Sequence, residues 1–250
     1  MTDSEPAAGV LYLVATPIGN LGDVSRRCLQ ILGQVDLLAC EDSRMTARLL
    51  ARHEIPRKTI SYHAHNERRQ APRLVASLVE GRSVALVTDA GTPTVSDPGF
   101  LLVRAARAAG RPVVAIPGPS ALLTALAVSG LPGQPFTFLG FLPPRRGPRR
   151  KRLSEVAPLP HTLVLFESPH RLARSLGDMA DILGSRIAAV CREMTKRHEE
   201  VRVDRLERLA ALFTSRDQVK GEITVVIAPP AKERPVRGLT EPPPPLPRAR

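Results

Sequence analysis

The sequence predicts an α/β protein of two domains, with a mostly parallel sheet in the first domain and a mixed sheet in the second. Short apolar runs alternate with segments of helical spacing through the first half, which is typical of parallel strands joined by crossover helices. A cluster of glycine and proline at residues 130–135 indicates a linker. Beyond it the alternation is less regular, which favours antiparallel pairs. We therefore expect domains at residues 1–132 and 133–229, and a disordered Pro/Arg-rich tail at residues 230–250.

Five compact apolar runs predict the strands of the first domain, at residues 10–15, 35–40, 58–62, 84–87 and 112–116. Helical spacing predicts helices at residues 24–32, after EDSR to about residue 53, and at 67–80, 100–109 and 121–129. Asp23 is the expected N-cap of the first helix and Gly33 its stop. Because the carboxyl ends of parallel strands share one edge of a sheet, the loops that follow them should converge. These loops read TPIGN, EDSR, HAHNE, DAGTPTVSDPG and PGPSA.

The longest of these segments, residues 86–99 (LVTDAGTPTVSDPG), is predicted to be a shaped ligand-binding loop. It leads from a strand into a helix, where open α/β sheets place their ligands, and its prolines and glycines restrict the backbone. Asp89 and Asp97 would repel a phosphate, so hydroxyls, amines or a cationic centre suit the loop better. The alternative is an ordinary strand-to-helix loop in which the aspartates form turns and caps.

The second domain is predicted to contain five strands, at residues 136–142, 162–166, 186–191, 201–203 and 222–228. One helix should end near residue 183 and another should span residues 205–213. The charged segments FESPHR, REMTKRHEE and KGE interrupt these strands. The conservative interpretation is structural ion pairing among Arg192, Glu193, Lys196 and Glu222. The functional one is that these charges form one wall of a binding cleft.

The chain is strongly basic, with a formal net charge of +12 and a pI of about 10.8, which favours a polyanionic partner. Only 3% of its residues are aromatic and none is Trp, which argues against base-stacking RNA modules. A basic loop is expected at residues 143–152, whose cations would contact RNA or DNA phosphates. The alternative is a solvated, flexible loop. The cations in question are Arg145, Arg146, Arg149, Arg150, Lys151 and Arg152.

The cysteines Cys28, Cys40 and Cys191 lie in apparent core segments without disulfide or zinc spacing, which favours a reducing, cytoplasmic setting. The N-terminal residues MTDSEPAAG contain no basic region and no long apolar run. We therefore expect neither a signal peptide nor a membrane span.

Several familiar catalytic signatures are missing, namely GxGxxG after the first strand, GxxxxGK[ST], GxSxG and HExxH. His63 and His65 lie two residues apart, as metal ligands sometimes do, and Glu67 could be a third ligand. A zinc site needs at least three protein ligands, and the two histidines supply only two. The favoured interpretation is therefore two polar loop histidines beside Asn66 as a helix cap. Glu41 and Asp42, in EDSR, could act as general bases if the site raises the pKa of one of them, or could simply favour the start of a helix.

Taken together, these loops resemble the tetrapyrrole-methylase-like family of S-adenosylmethionine methyltransferases. TPIGNLGD, EDSR, HNE, DAGTPTVSDPG, PGPSA, FLP, FESPHR, REMTKRHEE and KGE follow the family's order and spacing over residues 10–228. They are most similar to the branch that methylates a cytidine 2′-hydroxyl in small-subunit (16S) ribosomal RNA. The resemblance implies two α/β domains with the cofactor in the cleft between them, usually in a homodimer. Ala64 departs from the pattern, since an acid often stands there, and EDSR replaces EDTR.

The resemblance also implies which residues contact S-adenosylmethionine. In the first domain they are Pro17, Ala90, Gly91, Thr92, Val95, Ser120 and Ala121. In the second domain they are Phe166, Glu167 and Met194. No motif identifies a base for the 2′-hydroxyl, and the candidates are Asp42, His65, Glu67 and Glu167, with Lys196 and Lys220 as electrostatic helpers. No metal is expected.

The expected partner is small-subunit ribosomal RNA or the 30S subunit. Two alternatives stay open. One is a C-methyltransferase of a tetrapyrrole precursor on the same fold, which the basic segment at residues 145–152 disfavours. The other is a non-catalytic RNA-binding assembly factor, which the intact cofactor loops disfavour.

Overall fold

The computed structural model of the chain describes residues 6–230. The chain divides into two compact units, Met1–Ala121 and Leu122–Arg250, and each contains a five-stranded sheet. The predicted fold class is confirmed, because the first sheet is parallel throughout and the second is mixed. The boundary predicted after residue 132 stays a prediction. The tail predicted at 230–250 lies outside the described residues, apart from residue 230.

The first unit alternates strands and helices, as predicted. Its strands are β1 (Leu11–Val14), β2 (Leu37–Cys40), β3 (Thr59–Ser61), β4 (Val84–Val87) and β5 (Val113–Ile116). Its helices are α1 (Arg26–Gln34), α2 (Ser43–Arg52), α3 (Glu67–Val79) and α4 (Phe100–Ala108), and a 3-10 turn spans Leu21–Asp23. The predicted cap of α1 is wrong by two residues. Ser25 is the N-cap, and its hydroxyl accepts the Cys28 N–H at 3.1 Å.

The helices of the first unit cover both faces of a sheet with the strand order β3-β2-β4-β1-β5. The apolar residues of α1 and α2 pack with Tyr12 and Val14 on one face, and those of α3 and α4 pack with Leu11 and Leu13 on the other. After β1 the chain moves towards β3, whereas after β4 it moves towards β5. The neighbouring strands β1 and β4 therefore flank a topological switch point, where open α/β sheets bind their ligands.

The second unit follows with a helix, α5 (Ala121–Val128), and a mixed sheet. The strands are β6 (Phe136–Phe141), β7 (Thr162–Glu167), β8 (Ile187–Arg192), β9 (Glu200–Arg205) and β10 (Ile223–Ile227). The remaining helices are α6 (Arg146–Val156), α7 (Leu172–Leu183) and α8 (Leu206–Thr214). The strand order is β6-β7-β10-β8-β9, in which only β6 and β7 pair in parallel. The last strand, β10, thus lies at the centre of the sheet.

The basic loop predicted at residues 143–152 is wrong in its local structure, because most of it belongs to α6. Pro148 falls in the first turn of the helix, where the missing N–H costs no intrahelical bond. The buried positions are Arg149, Leu153 and Val156, at the i, i+4, i+7 spacing of a helix face. An arginine occupies the first of these positions, so the sequence pattern showed no apolar stripe. No described helix has the length and apolar character of a membrane span.

Candidate active site

The loops that follow β1, β2 and β4 meet at the carboxyl edge of the first sheet, as their order predicted. Thr16 and Gly91 exchange two backbone hydrogen bonds of 2.9 and 3.1 Å, and the Thr16 hydroxyl donates to the Thr88 carbonyl at 3.1 Å. The Asp42 N–H donates to Asp89 Oδ1 at 2.9 Å. TPIGN, EDSR and the central loop are therefore tied together at the switch point between β1 and β4.

The central loop has an unusual backbone. Gly91 and Gly99 have φ values of 78° and 134°, and the non-glycine residues Thr94 and Ser96 also lie in the left-handed region, at 74° and 68°. A Cβ on Gly99 would lie 2.8 Å from Leu86 Cδ2, so the loop passes too close to β4 for a side chain there. Left-handed non-glycine residues cost free energy and cluster at ligand clamps. The backbone fits the prediction of a shaped ligand loop.

The predicted cofactor residues of the first unit lie along this edge. Pro17 and Gly91 are buried, Ala90 and Thr92 are half-buried, and the apolar side chain of Val95 is 38% exposed. Two further predicted contacts, Ser120 and Ala121, are half-buried and stand at the start of α5. The Pro119 carbonyl lies 3.9 Å from the position of a Cβ on Gly91, which brings PGPSA to the same edge. Their contact with a cofactor stays a prediction.

Carboxylates make this edge electronegative. Burial raises the pKa of Asp97 to about 7, and the nearby charge of Glu41 adds to the shift. Burial and Asp89 raise the pKa of Glu41, and burial raises that of Asp89. Sequence reasoning missed these shifts, because burial of an acid depends on packing that no local pattern encodes. Such an edge suits a cation or hydroxyl donors and not a phosphate.

The candidate bases of the first unit differ in environment. Asp42 caps α2 and pairs with Arg44 at 2.8 Å, and the hydrogen bonds from Arg44 lower its pKa to about 2, which makes it a weak proton acceptor. His65 is exposed, and its ring lies edgewise to that of His63, with 5.9 Å between their centroids. Glu67 is half-buried at the start of α3.

The HAHNE loop is shaped by Asn66. Its side chain accepts the His63 N–H at 2.9 Å and donates to the Ser61 carbonyl at 3.0 Å. Asn66 occupies the N-cap position of α3, as expected, but its side chain makes no capping hydrogen bond. Within residues 6–230, no group of three or more His, Cys, Asp or Glu side chains is arranged to hold a metal.

The functional residues predicted for the second unit also share one sheet edge. Ile223, at the start of β10, pairs with Glu167 at the end of β7 and with Arg192 at the end of β8. Phe166 packs its ring against those of Phe138 and Phe141, at centroid distances of 5.0 and 5.6 Å. FESPHR, REMTKRHEE and KGE therefore lie together in three dimensions, as the functional interpretation of these segments required.

Glu167 is the buried carboxylate of this edge. Its Oε1 pairs with Arg171 at 2.9 Å and accepts the Ser168 N–H at 2.7 Å. Its Oε2 is buried and has no hydrogen-bond partner among the described residues. A buried acceptor without a partner is costly, so this oxygen is suited to a donor from a bound ligand. Met194, the other predicted cofactor contact, is 7% exposed.

Lys196 is held as a cation. It pairs with Glu193 at 2.9 Å and Glu222 at 3.3 Å. Burial alone would lower its pKa, but these carboxylates outweigh burial and raise the pKa above its usual value. The ion pairing predicted here is confirmed for these three residues. Arg192 departs from it, because it pairs with Glu200 at 3.0 Å. The Lys220 side chain is exposed and has no partner among the described residues.

The six basic residues of the 145–152 segment have different surroundings. Arg149 is only 5% exposed and lies 2.6 Å from Asp178, so its predicted contact with RNA is corrected to an internal ion pair. Arg146 and Arg150 also bind Asp178, at 3.2 and 3.1 Å. Arg152 pairs with Glu155 on the surface. Of the six, Arg145 and Lys151 form no ion pair with another described residue.

Comparison with known proteins places the chain in a family. The profile of the tetrapyrrole (corrin/porphyrin) methylases matches residues 10–210. A Mesorhizobium japonicum protein named ribosomal RNA small subunit methyltransferase I is 51% identical, over 90% of this chain and 77% of its own. A Xylella fastidiosa protein of the same name is 52% identical, over 88% and 81%.

A solved structure supports the fold. The uroporphyrin-III-C-methyltransferase of Thermus thermophilus superposes with a TM-score of 0.61 at 24% identity, covering 87% of this chain and 94% of its own. At that identity the likeness concerns the fold alone. The sequence relatives and the family profile, in contrast, each cover most of the chain. The chain therefore belongs to the tetrapyrrole (corrin/porphyrin) methylase family, in the group whose members are named ribosomal RNA small subunit methyltransferase I.

Proposed function

We propose that this protein transfers a methyl group from S-adenosylmethionine to the ribose 2′-hydroxyl of a cytidine in small-subunit ribosomal RNA. The observation that carries the proposal is the identity of 51–52% to two proteins named as small-subunit ribosomal RNA methyltransferases. The net charge of +12 supports a polyanionic substrate. The names of these relatives specify small-subunit ribosomal RNA, and the cytidine and its 2′-oxygen are what the proposal adds to them.

The residues present fit S-adenosylmethionine. Asp97, Asp89 and Glu41 cluster at the first edge with raised pKa values, and a bound cation would favour their charged forms, which suits a sulfonium and ribose hydroxyls. The unpartnered Glu167 Oε2 at the second edge suits an N–H or O–H donor. When bound, the cofactor supplies an electrophilic methyl carbon bonded to a positively charged sulfur.

The reaction asks two things of the protein. The 2′-oxygen forms a bond to the methyl carbon as the carbon–sulfur bond breaks, so the two must be held in line, which alone can contribute on the order of 7–11 kcal/mol. The hydroxyl proton must pass to a base. Asp42 is a weak acceptor because Arg44 stabilises its charged form, and Lys196 is held protonated. His65, Glu67 and Glu167 are the candidates that keep a proton-accepting atom.

The test is methyl transfer from labelled S-adenosylmethionine to small ribosomal subunits that lack the modification. We expect label on the 2′-oxygen of one cytidine, mapped by nuclease digestion. Label on a tetrapyrrole precursor would favour the C-methyltransferase. Cofactor and RNA binding without transfer would favour the assembly factor.

The base is tested by His65→Gln, Glu67→Gln and Glu167→Gln, with Lys220→Gln as the comparison for a purely electrostatic group. Loss of the base should lower kcat by about 10²–10⁴-fold and remove one limb of the pH profile. A variant that weakens cofactor binding without changing the pH profile identifies a binding residue instead.

We infer that the protein works in the cytoplasm, where ribosomes are found, and its three cysteines are free and buried as a reducing setting allows. A homodimer is part of the proposal. Light scattering coupled to size exclusion tests it, since a dimer has twice the 27.1 kDa of one chain.

A further inference from the structure

A long open groove runs along the second unit on the side of FESPHR and KGE. One part, of about 550 Å³, lies between the start of α7, the end of α8 and the segment that follows α8. The other, of about 420 Å³, continues past the same segment to the end of β8. Arg216, Gln218 and Val219 line both parts. We define the cationic groove by the six basic residues that line it, His170, Arg174, Arg192, His198, Arg216 and Lys220.

Two of these cations are fixed in place by the protein. Arg192 and Arg216 share the carboxylate of Glu200, at 3.0 and 2.6 Å. The Arg216 guanidinium also lies over the ring of Phe213, 4.4 Å from its centroid. These contacts give the groove a rigid wall, with the arginines held along it.

The other four basic side chains form no ion pair with an acid of the described chain. His170, Arg174, His198 and Lys220 form no side-chain hydrogen bond and no ion pair among the described residues. The acids in the lining are Asp217 and Glu193, and Glu193 is held by Lys196. Among the described lining residues, the unpaired cations Arg174 and Lys220 therefore outnumber the unpaired carboxylate of Asp217.

The basic helix α6 is less available. Of the six cations at residues 145–152, which comprise Arg145 at the N-cap and five in the helix, three bind Asp178 and one binds Glu155 within the protein. A side chain already paired with a carboxylate gains less from a phosphate, since the existing pair must first be broken. Each site keeps two unpaired cations among the described residues, Arg145 and Lys151 in that segment and Arg174 and Lys220 in the groove. The groove adds the unpaired imidazoles of His170 and His198 and a concave lining, which makes it the better site for a polyanion.

We infer that the cationic groove binds the phosphodiester backbone of the RNA substrate, an inference that rests on the proposed function. Its open shape and its cations, spread along two connected parts, suit a strand of successive phosphates better than one compact anion. The lining includes Pro169 and Lys220, each two positions along the chain from Glu167 and Glu222, and Glu193, which precedes Met194. The groove therefore adjoins the edge that carries Glu167 and Met194. A strand held here delivers a ribose to that edge.

The test is the salt dependence of binding to a small-subunit ribosomal RNA transcript, measured by fluorescence anisotropy. The logarithm of the binding constant falls linearly with the logarithm of the salt concentration, and each lost phosphate contact makes this slope shallower by about 0.7–0.9. Arg174→Gln combined with Lys220→Gln should therefore lower it by about 1.4–1.8, so the loss of affinity between roughly 50 and 200 mM salt becomes about 7- to 12-fold smaller. Lys58→Gln combined with Arg107→Gln is the matched control, because both side chains are exposed, form no ion pair among the described residues and lie outside the groove.

The outcomes separate the inference from the function on which it rests. An unchanged slope in the double variant, together with methyl transfer by the wild type, overturns the inference that the groove binds RNA. A reduced slope supports it, and Arg174→Gln alone, which changes no candidate catalytic residue, should give about half of the reduction with an unchanged cofactor affinity. Failure of the proposed function shows differently, as a wild-type protein that binds the transcript and transfers no methyl group. The pair Arg145→Gln and Lys151→Gln measures α6 in the same assay, and an effect confined to that pair also overturns the groove.

Discussion

Replacing Asp178 by asparagine is expected to lower the free energy of unfolding by about 3–5 kcal/mol, the usual cost of stranding a buried charge. The Asp178 side chain is only 5% exposed and contacts three guanidinium groups. Of these, the Arg149 side chain is itself only 6% exposed. Without the carboxylate, Arg149 keeps one described partner, the Pro144 carbonyl at 3.0 Å.

The reverse change should cost less. Arg149→Met leaves Asp178 with Arg146 and Arg150, so its charge stays compensated, and we expect a loss of about 1.5–3 kcal/mol, as for a hydrogen bond to a charged group. The exposed control Asp181→Asn breaks only its pair with Arg150 and should cost about 0–1 kcal/mol.

Urea unfolding followed by circular dichroism measures all three variants, at constant m-value. An Arg149→Met variant as unstable as Asp178→Asn would refute the argument, because the asymmetry follows from the two remaining arginines. Burial would raise the pKa of Asp178, but the hydrogen bonds from its arginines outweigh burial and lower it. Its contribution is therefore present above the unfolded-state pKa of about 4 and is lost as the pH falls through the lower folded-state pKa.

Three further predictions concern the first unit and the thiols. Because the pKa of Asp97 is raised to about 7, stability should fall as the pH rises from about 4 to 7, and Asp97→Asn should flatten that fall; parallel urea midpoints in the two proteins would contradict it. Gly99→Ala should cost about 1–3 kcal/mol from overpacking against Leu86, whereas the helical control Gly33→Ala, with open space around it, should be neutral or stabilising in the same urea assay. A thiol reagent at pH 8 should label the native protein slowly and the urea-unfolded protein three times, and fast native labelling would contradict the burial of Cys28, Cys40 and Cys191.

The sequence was informative wherever local pattern and topology agree. The apolar runs located all five strands of the first unit, and parallel pairing then required their loops to meet at one edge. The contact between Thr16 and Gly91 is a direct consequence. FESPHR and KGE meet for a similar reason, since β7 and β10 pair in antiparallel register from Glu167 and Ile223.

Other features depend on partners far along the chain. Helix α6 was missed because its first buried position is Arg149, and only Asp178, 29 residues later, makes that burial possible. Arg192 pairs with Glu200 across the β8–β9 hairpin and not with its neighbours in sequence. The raised pKa of Asp97 arises from burial beside Glu41, which no local pattern contains.

The central place of β10 has a consequence for synthesis. The first unit has all its strands once residue 116 has emerged from the ribosome, whereas the second sheet lacks its middle strand until residues 223–227 follow. Until then, β7 and β8 have no strand between them, and each presents an unpaired edge beside an apolar face. We therefore expect the second unit to stay open to misassembly for longer than the first during synthesis.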